Sequence, residues 1–397
     1  MQSHPRRRHI LEHFGTGFLV VILAAALTHA LRNTTFMRRL EMVILDSWTS
    51  FQLPQESSDI AIVAITDEEY RAQFHNTSPL SPAKVADLLC AIAHSGPKVI
   101  GVDLDTAEWS AADRDRVREQ CVTVHENSQT YRIPLVWALG GIEDPAGLIQ
   151  LNPVINSAPG DCFAPPAIIP DEDGVIRGSY REIVGGDRRW PGFGSLIAAA
   201  REGSVRDCRT NGAIGGSGRP NRFLINFRGD VKTFPHLNAS TVLGAAFTDA
   251  WEGDNPLKNK IVLLGGTFRA GRDRYPTPRG QMDGVNVMAY AIQSELPGGG
   301  IKQVPEALFL TTDLLIGFAV VMLTFFLKNA WTLLLIFLAI PFLAFAASLL
   351  LYSSLGYFMS FMPVLTAVFI HEVIMHVRED LRIRRELQRL RSSAERS

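Results

Sequence analysis

The placement of the apolar segments limits this chain more than any other feature. One segment, Phe14–Leu31, stands at the front, and three, Leu308–Leu327, Trp331–Leu351 and Leu355–Met375, crowd the back. Each is close to the ~20 residues a helix needs to cross the hydrocarbon core of a bilayer. The stretch between them, 32–305, alternates apolar and polar runs and reads as one folded block. The pattern predicts four transmembrane helices, at 14–31, 306–327, 331–351 and 355–375, holding a single domain on one side. A short segment, 1–13, precedes them and a basic helix, 376–397, follows. So little chain after the last span cannot fold alone, and the output is expected in another protein.

Basic residues set the orientation. Arg6, Arg7 and Arg8 precede the first span and keep the N-terminus cytoplasmic. Lys328 marks the cytoplasmic turn between the second and third spans, and Tyr352–Ser354 an uncharged outer turn. The tail carries Arg378, Arg382, Arg384, Arg385, Arg389, Arg391 and Arg396, which returns it to the cytoplasm. Arg32-Asn33-Thr34-Thr35 follows the first span without a small-x-small cleavage pattern, so that span is expected to stay as an anchor. The expected location is a bacterial inner membrane, crossed several times, with both termini inside and the large domain in the periplasm.

Charge excludes one class of partner. The chain has 39 Lys and Arg against 40 Asp and Glu, so no basic surplus points to nucleic acid. All four cysteines, Cys90, Cys121, Cys162 and Cys208, fall in the outer block. An oxidising compartment permits disulfides there, and four cysteines allow three pairings. Buried free thiols within helices are the alternative for Cys90 and Cys121. No cysteine spacing resembles a zinc site, and neither a metal nor a cofactor is called for.

Within the block, Ile60–Thr66, Lys98–Val102 and Ile133–Leu139 are apolar runs of the kind buried on both faces of a sheet. A helix is expected from Ser81-Pro82 to Gly96-Pro97, and another over Asp113–Ser128. Strand–helix alternation predicts right-handed crossovers and a mainly parallel sheet. Val175–Val184 with a turn at Gly185-Gly186-Asp187, and a short strand at Phe223–Phe227, form an antiparallel excursion. Asn211–Arg219 reads as a loop. Alternation resumes with a helix capped by Ser240, a strand at Lys260–Leu264 and a helix at Val285–Ser294. The fold class is α/β, one domain, with four transmembrane helices.

Several segments resemble a known family. They are Asp46-Ser47-Trp48-Thr49-Ser50-Phe51, Ile62-Val63-Ala64-Ile65-Thr66-Asp67, and Gly96-Pro97-Lys98-Val99-Ile100-Gly101-Val102-Asp103. The longest run joins Lys260–Thr267, Asp273-Arg274-Tyr275-Pro276-Thr277-Pro278 and Gly284–Ala289. In this order they resemble the type-two CHASE domain, an extracellular sensory domain of bacterial cyclases, histidine kinases and other kinases. The resemblance covers about residues 40–300 and the three following spans, and implies a sensory role. Gln52-Leu53-Pro54, Leu104-Asp105-Thr106 and Asn286 with Tyr290 depart from the usual pattern, so no ligand is carried over.

Candidate sites follow from placement. Asp67, Asp103 and Asp105 sit at the carboxyl ends of two predicted parallel strands, the edge where open α/β sheets bind ligands. They either hold a ligand or cap local turns. The loop from Gly265 to Gly280 brings Arg269, Arg272, Asp273, Arg274 and Arg279 together, suiting an anion or a loop tied by ion pairs. Asp313 lies inside a predicted span and is a polar candidate by position. Catalytic patterns fail. Ser195 lacks the second glycine of a nucleophile elbow, and His371, Glu372 and His376 miss the zinc-protease spacing. Ile383, Leu387, Leu390 and Ala394 recur at four-three-four spacing on the tail, a seam for a second helix or a basic helix on anionic lipid.

The expected function is a sensor subunit, not an enzyme, that receives a ligand or partner outside and signals to an output protein. Membrane lipid is the expected surroundings, and an oligomer or hetero-complex the expected assembly. A membrane scaffold is the alternative. A metal-dependent hydrolase using Asp67, Asp103 and Asp105 is the third reading.

Overall fold

The structure, a computed structural model, describes residues 18–51, 59–151, 162–203, 222–248, 255–322, 330–358 and 369–392, with short interruptions inside these segments. It divides into two compact units, Thr49–Ile301 and the combination of Met1–Trp48 with Lys302–Ser397. The helices are α1 (Thr35–Phe51), α2 (Asp67–Ala72), α3 (Pro82–His94), α4 (Ala111–Arg116), α5 (Phe193–Arg201), α6 (Ala239–Thr248), α7 (Gly284–Glu295) and α8 (Ala330–Leu355).

In the Thr49–Ile301 unit six strands form one sheet: β1 (Ile60–Ile65), β2 (Val99–Asp103), β3 (Leu135–Ala138), β4 (Cys162–Ala164), β5 (His236–Asn238) and β6 (Ile261–Gly266). Their order is β5-β1-β6-β2-β3-β4, and every neighbouring pair is parallel. Both faces are covered, which is why β1 and β6 are apolar at every position instead of alternating. Ile60, Ile62, Ile261 and Leu263 face α5 and α7, while Ala61, Val63, Ile65, Val262 and Leu264 face α3 and α6. Each large side chain among these contributes about 1.5–3 kcal/mol by leaving water, so the two core layers hold the sheet.

Helix ends follow local chemistry. Pro82 stands in the first turn of α3, although Ser81 makes no side-chain capping bond. Gly96, at φ 68°, takes the left-handed position after the helix, and its N–H bonds to Ala93 O. At α2, Thr66 and Glu69 form a reciprocal capping box. Small antiparallel pairs surround the sheet, including Glu182–Gly185 with Arg188–Pro191 and Gly178–Tyr180 with Arg222–Leu224.

Three local expectations change. The helix expected over Asp113–Ser128 stops early: α4 passes into a π-turn, Val117–Cys121, and Thr123–Glu126 then pairs antiparallel with Gln129–Arg132. The strand expected over Val175–Val184 is broken at Arg181 into two strands with different partners. Ser240 lies inside α6, where its N–H and hydroxyl both donate to Glu69 instead of capping the helix.

In the other unit, α8 has 26 residues. Its Leu338–Leu355 stretch, mean hydropathy 1.9, is long and apolar enough to cross a membrane, the one such helix among the described residues. It runs past the outer turn expected at Tyr352–Ser354 and ends at Leu355, with Gly356 following at φ 69°. Tyr357–Phe358 then pairs with Lys302–Gln303, so the fourth expected span does not begin as helix at Leu355. The other expected spans fall wholly or partly outside the described residues. Trp48 at the end of α1 is buried among Phe345, Tyr352 and Phe358, with ring centroids at 6.3, 5.6 and 5.5 Å. Large exposed apolar side chains lie almost entirely in this unit, with Phe51 and Ile169 the exceptions among the described residues.

Candidate functional site

The strand register brings the site together. Ala64, Gly265 and Asp103 stand level across β1, β6 and β2, so the loops leaving these strands share one edge. Gly265 leaves room for α7: a Cβ there would lie 2.6 Å from Val285. Asp103 ends β2 at this edge. Across from it, the hairpin Arg274–Thr277 with Gly280–Asp283 carries Asp273 at one root and Asp283 at the other. Asp273 lies against the first turn of α7. A Cβ on Gly284 would fall 2.1 Å from its Oδ2, so only glycine admits the carboxyl.

This arrangement concentrates acid in a partly dry place. Burial, then the nearby Asp273, push the Asp103 carboxyl up to about 7. Burial also raises Asp273, with the Tyr275 hydroxyl bond opposing and Asp283 adding to it. Burial raises Asp283 as well, against Arg274 and His236, while Asp67 adds to the rise. Tyr275 is held above its ordinary range by burial and by Asp273 and Asp103. Burial and neighbouring carboxylates thus make Asp103, Asp273 and Asp283 hold their protons more readily than exposed aspartates do, with Arg274 and His236 opposing this at Asp283.

The edge is also braced. His236 Nε2 lies 2.9 Å from Asn286 Oδ1, and its Nδ1 2.9 Å from Phe234 O. Buried Glu69 accepts from Thr66 N–H and hydroxyl at 2.8 and 2.7 Å, and from Ser240 N–H and hydroxyl at 2.8 Å each. Burial alone would raise Glu69, but these bonds outweigh it and lower it. Tyr70 stacks on Phe268 at 4.3 Å, joining α2 to the loop after β6.

The CHASE2 domain family matches residues 18–327. The chain belongs to that family. CHASE2 domains are extracellular sensory domains, in line with the resemblance read from the motifs. No curated protein and no solved structure matches the chain.

In this CHASE2 domain the residues singled out from sequence divide. Asp67, Asp103, Asp273, Arg269 and Arg274 meet at the edge. Asp67 Oδ1 accepts from Arg269 N–H at 2.8 Å, and Arg274 Nε lies 3.2 Å from Asp283. Arg272, at φ 52°, and Asp105 are exposed. Arg279 donates to Phe227 O at 3.2 Å. The loop is tied by ion pairs, but through Asp67 and Asp283 instead of Asp273. Asp67, Asp103 and Asp105 do not form a metal set: no group of three or more His, Cys, Asp or Glu placed to hold a metal occurs among the described residues.

The cysteines resolve in part. Cys90 on α3 is bonded to Cys121 in the π-turn, with Cα atoms 4.4 Å apart, and Cys162 is also disulfide-bonded. Cys208, Asp313, the loop 211–219, and His371, Glu372 and His376 lie outside the described residues. Sequence reading missed Glu69, Tyr275, His236 and Asp283. The capping-box spacing from Thr66 to Glu69 was a usable signal for the first. The others are assembled only by the tertiary fold.

Proposed function

We propose that this protein is a bacterial inner-membrane sensor whose CHASE2 domain faces the periplasm and drives a cytoplasmic output. Membership of an extracellular sensory family carries the reading. The disulfides of Cys90, Cys121 and Cys162 support an oxidising compartment for the domain. α8 and the exposed apolar side chains of its unit support a membrane for the rest. The input falls at the carboxyl-rich edge of β1, β6 and β2, where loops from three strands converge. The protein acts by binding and rearrangement, without turnover of its own. The exposed Ile383, Leu387 and Leu390 of the basic tail supply a face for a second tail or an output protein.

Two measurements test the proposal. Reporter fusions within the domain should be active only outside the cytoplasm, and fusions at both termini only inside. Cytoplasmic proteins that copurify with the full chain in mild detergent are then assayed with and without residues 49–301. A sensor changes the partner's activity on that deletion. Unchanged activity in an intact complex rejects the sensor in favour of a scaffold.

A further inference from the structure

The Thr49–Ile301 unit buries two arginines among the described residues, and treats them differently. Arg177, 3 % exposed, pairs with Asp171 at 3.2 Å and Asp173 at 2.7 Å. Arg114 on α4 is 2 % exposed and pairs with no carboxylate among the described residues. Its Nη1 reaches Thr106 O only at 3.4 Å, its guanidinium lies 5.7 Å over the Phe163 ring, and its Nε has no partner. An unpaired buried guanidinium costs several kcal/mol, more than one aromatic face returns.

A second donor stands in the same surroundings. Trp137 on β3 is fully buried, and its indole Nε1 has no partner. Phe163 is its register partner on β4, and Trp109 packs edge-on against it at 5.2 Å. Trp109 N–H and Arg114 also share the Thr106 carbonyl. Two unsatisfied donors, one of them charged, thus sit among three aromatic rings on the α3 face of the sheet, at the carboxyl ends of β2, β3 and β4. The π-turn that follows α4 is tied to α3 by the Cys90–Cys121 bond.

We infer that Arg114 and Trp137 form a binding site for a small organic carboxylate with an apolar, flat body. The guanidinium and the indole N–H donate to the carboxylate, and Trp109 and Phe163 flank the body. This goes beyond the proposed sensory edge and does not depend on it, because binding is read directly.

The test uses the full chain in detergent with acetate, benzoate and indole-3-acetate as probes. Benzamide serves as the neutral counterpart and sulfate as the inorganic reference. A carboxylate should raise the melting temperature and change tryptophan fluorescence, with benzoate or indole-3-acetate stronger than acetate. Arg114→Met should abolish the effect while leaving the fold at least as stable, since an uncompensated charge is replaced by an apolar chain. Trp137→Phe, which removes the indole N–H, should weaken binding about tenfold. Three results overturn the inference. One is no response of the wild-type chain to any of the carboxylates. Another is an equal response to benzamide or sulfate. The third is a marked loss of stability in Arg114→Met, which means the chain supplies the counter-charge itself.

Discussion

Asp103 and Glu69 sit near the same sheet edge and respond oppositely to pH. Asp103 has its carboxyl pushed up to about 7 from 3.8, so the folded state holds a proton that the unfolded chain releases. Its contribution is complete below the unfolded value and is lost as pH rises toward 7. Asp273 and Asp283, also raised, act in the same sense. Asp103→Asn should therefore flatten the stability profile between about pH 4 and 7, and raise stability above neutrality by roughly 2 kcal/mol. Melting temperature against pH, wild type beside variant, checks this. An unchanged slope would mean that Asp103 titrates normally. Glu69 is lowered, so its stabilisation is present above its unfolded value and fades as pH falls. Glu69→Gln sets an amide against donors from both α2 and α6, and should cost about 2–4 kcal/mol in denaturant unfolding. A loss below 0.5 kcal/mol, on the order of one exposed bond, would show that the four contacts are replaceable.

At the level of elements, the Cys90–Cys121 bond closes a loop with sequence separation 31. Chain entropy gives a loop of that length about 3.7 kcal/mol of stability, so Cys90→Ser should lower the unfolding midpoint accordingly. A smaller shift would mean that α3 and the π-turn are held mainly by packing. Elements differ in how readily the chain reveals them. β1, β2 and β6 are legible because burial on both faces leaves no polar position to blur the run. α3 is legible because proline opens it and Gly96 closes it. The segment after Asp113 is not, because charged residues at helical spacing also suit a short helix, a π-turn and a hairpin. Only the Ile133–Val122 and Thr123–Arg132 pairings decide between them. The candidate edge is half legible for the same reason. Asp67 and Asp103 announce themselves as strand ends. Asp273 and Asp283 come from a hairpin whose fold-back no local spacing encodes, and Arg114 with Trp137 meet across separate elements.

On the scale of the whole molecule, the chain passes between its two units twice, after Trp48 and before Lys302. Trp48 is held by Phe345, Tyr352 and Phe358, and Lys302 by Gly356 O at 2.8 Å and by the Tyr357 ring at 5.5 Å. Trp48→Ala should remove about 3–5 kcal/mol of packing from the unit that contains α8. Hydrogen exchange should quicken at the end of α8 and in residues 302–303, while β1, β2 and β6 keep their protection. Quickened exchange throughout the sheet would mean that the aromatic cluster supports the α/β unit as well. The cluster has a mechanical meaning. Trp48 and Lys302, the two residues of this unit next to the crossings, are both moored to the second half of α8 and the residues just after it, so loosening that end of the helix frees both at once.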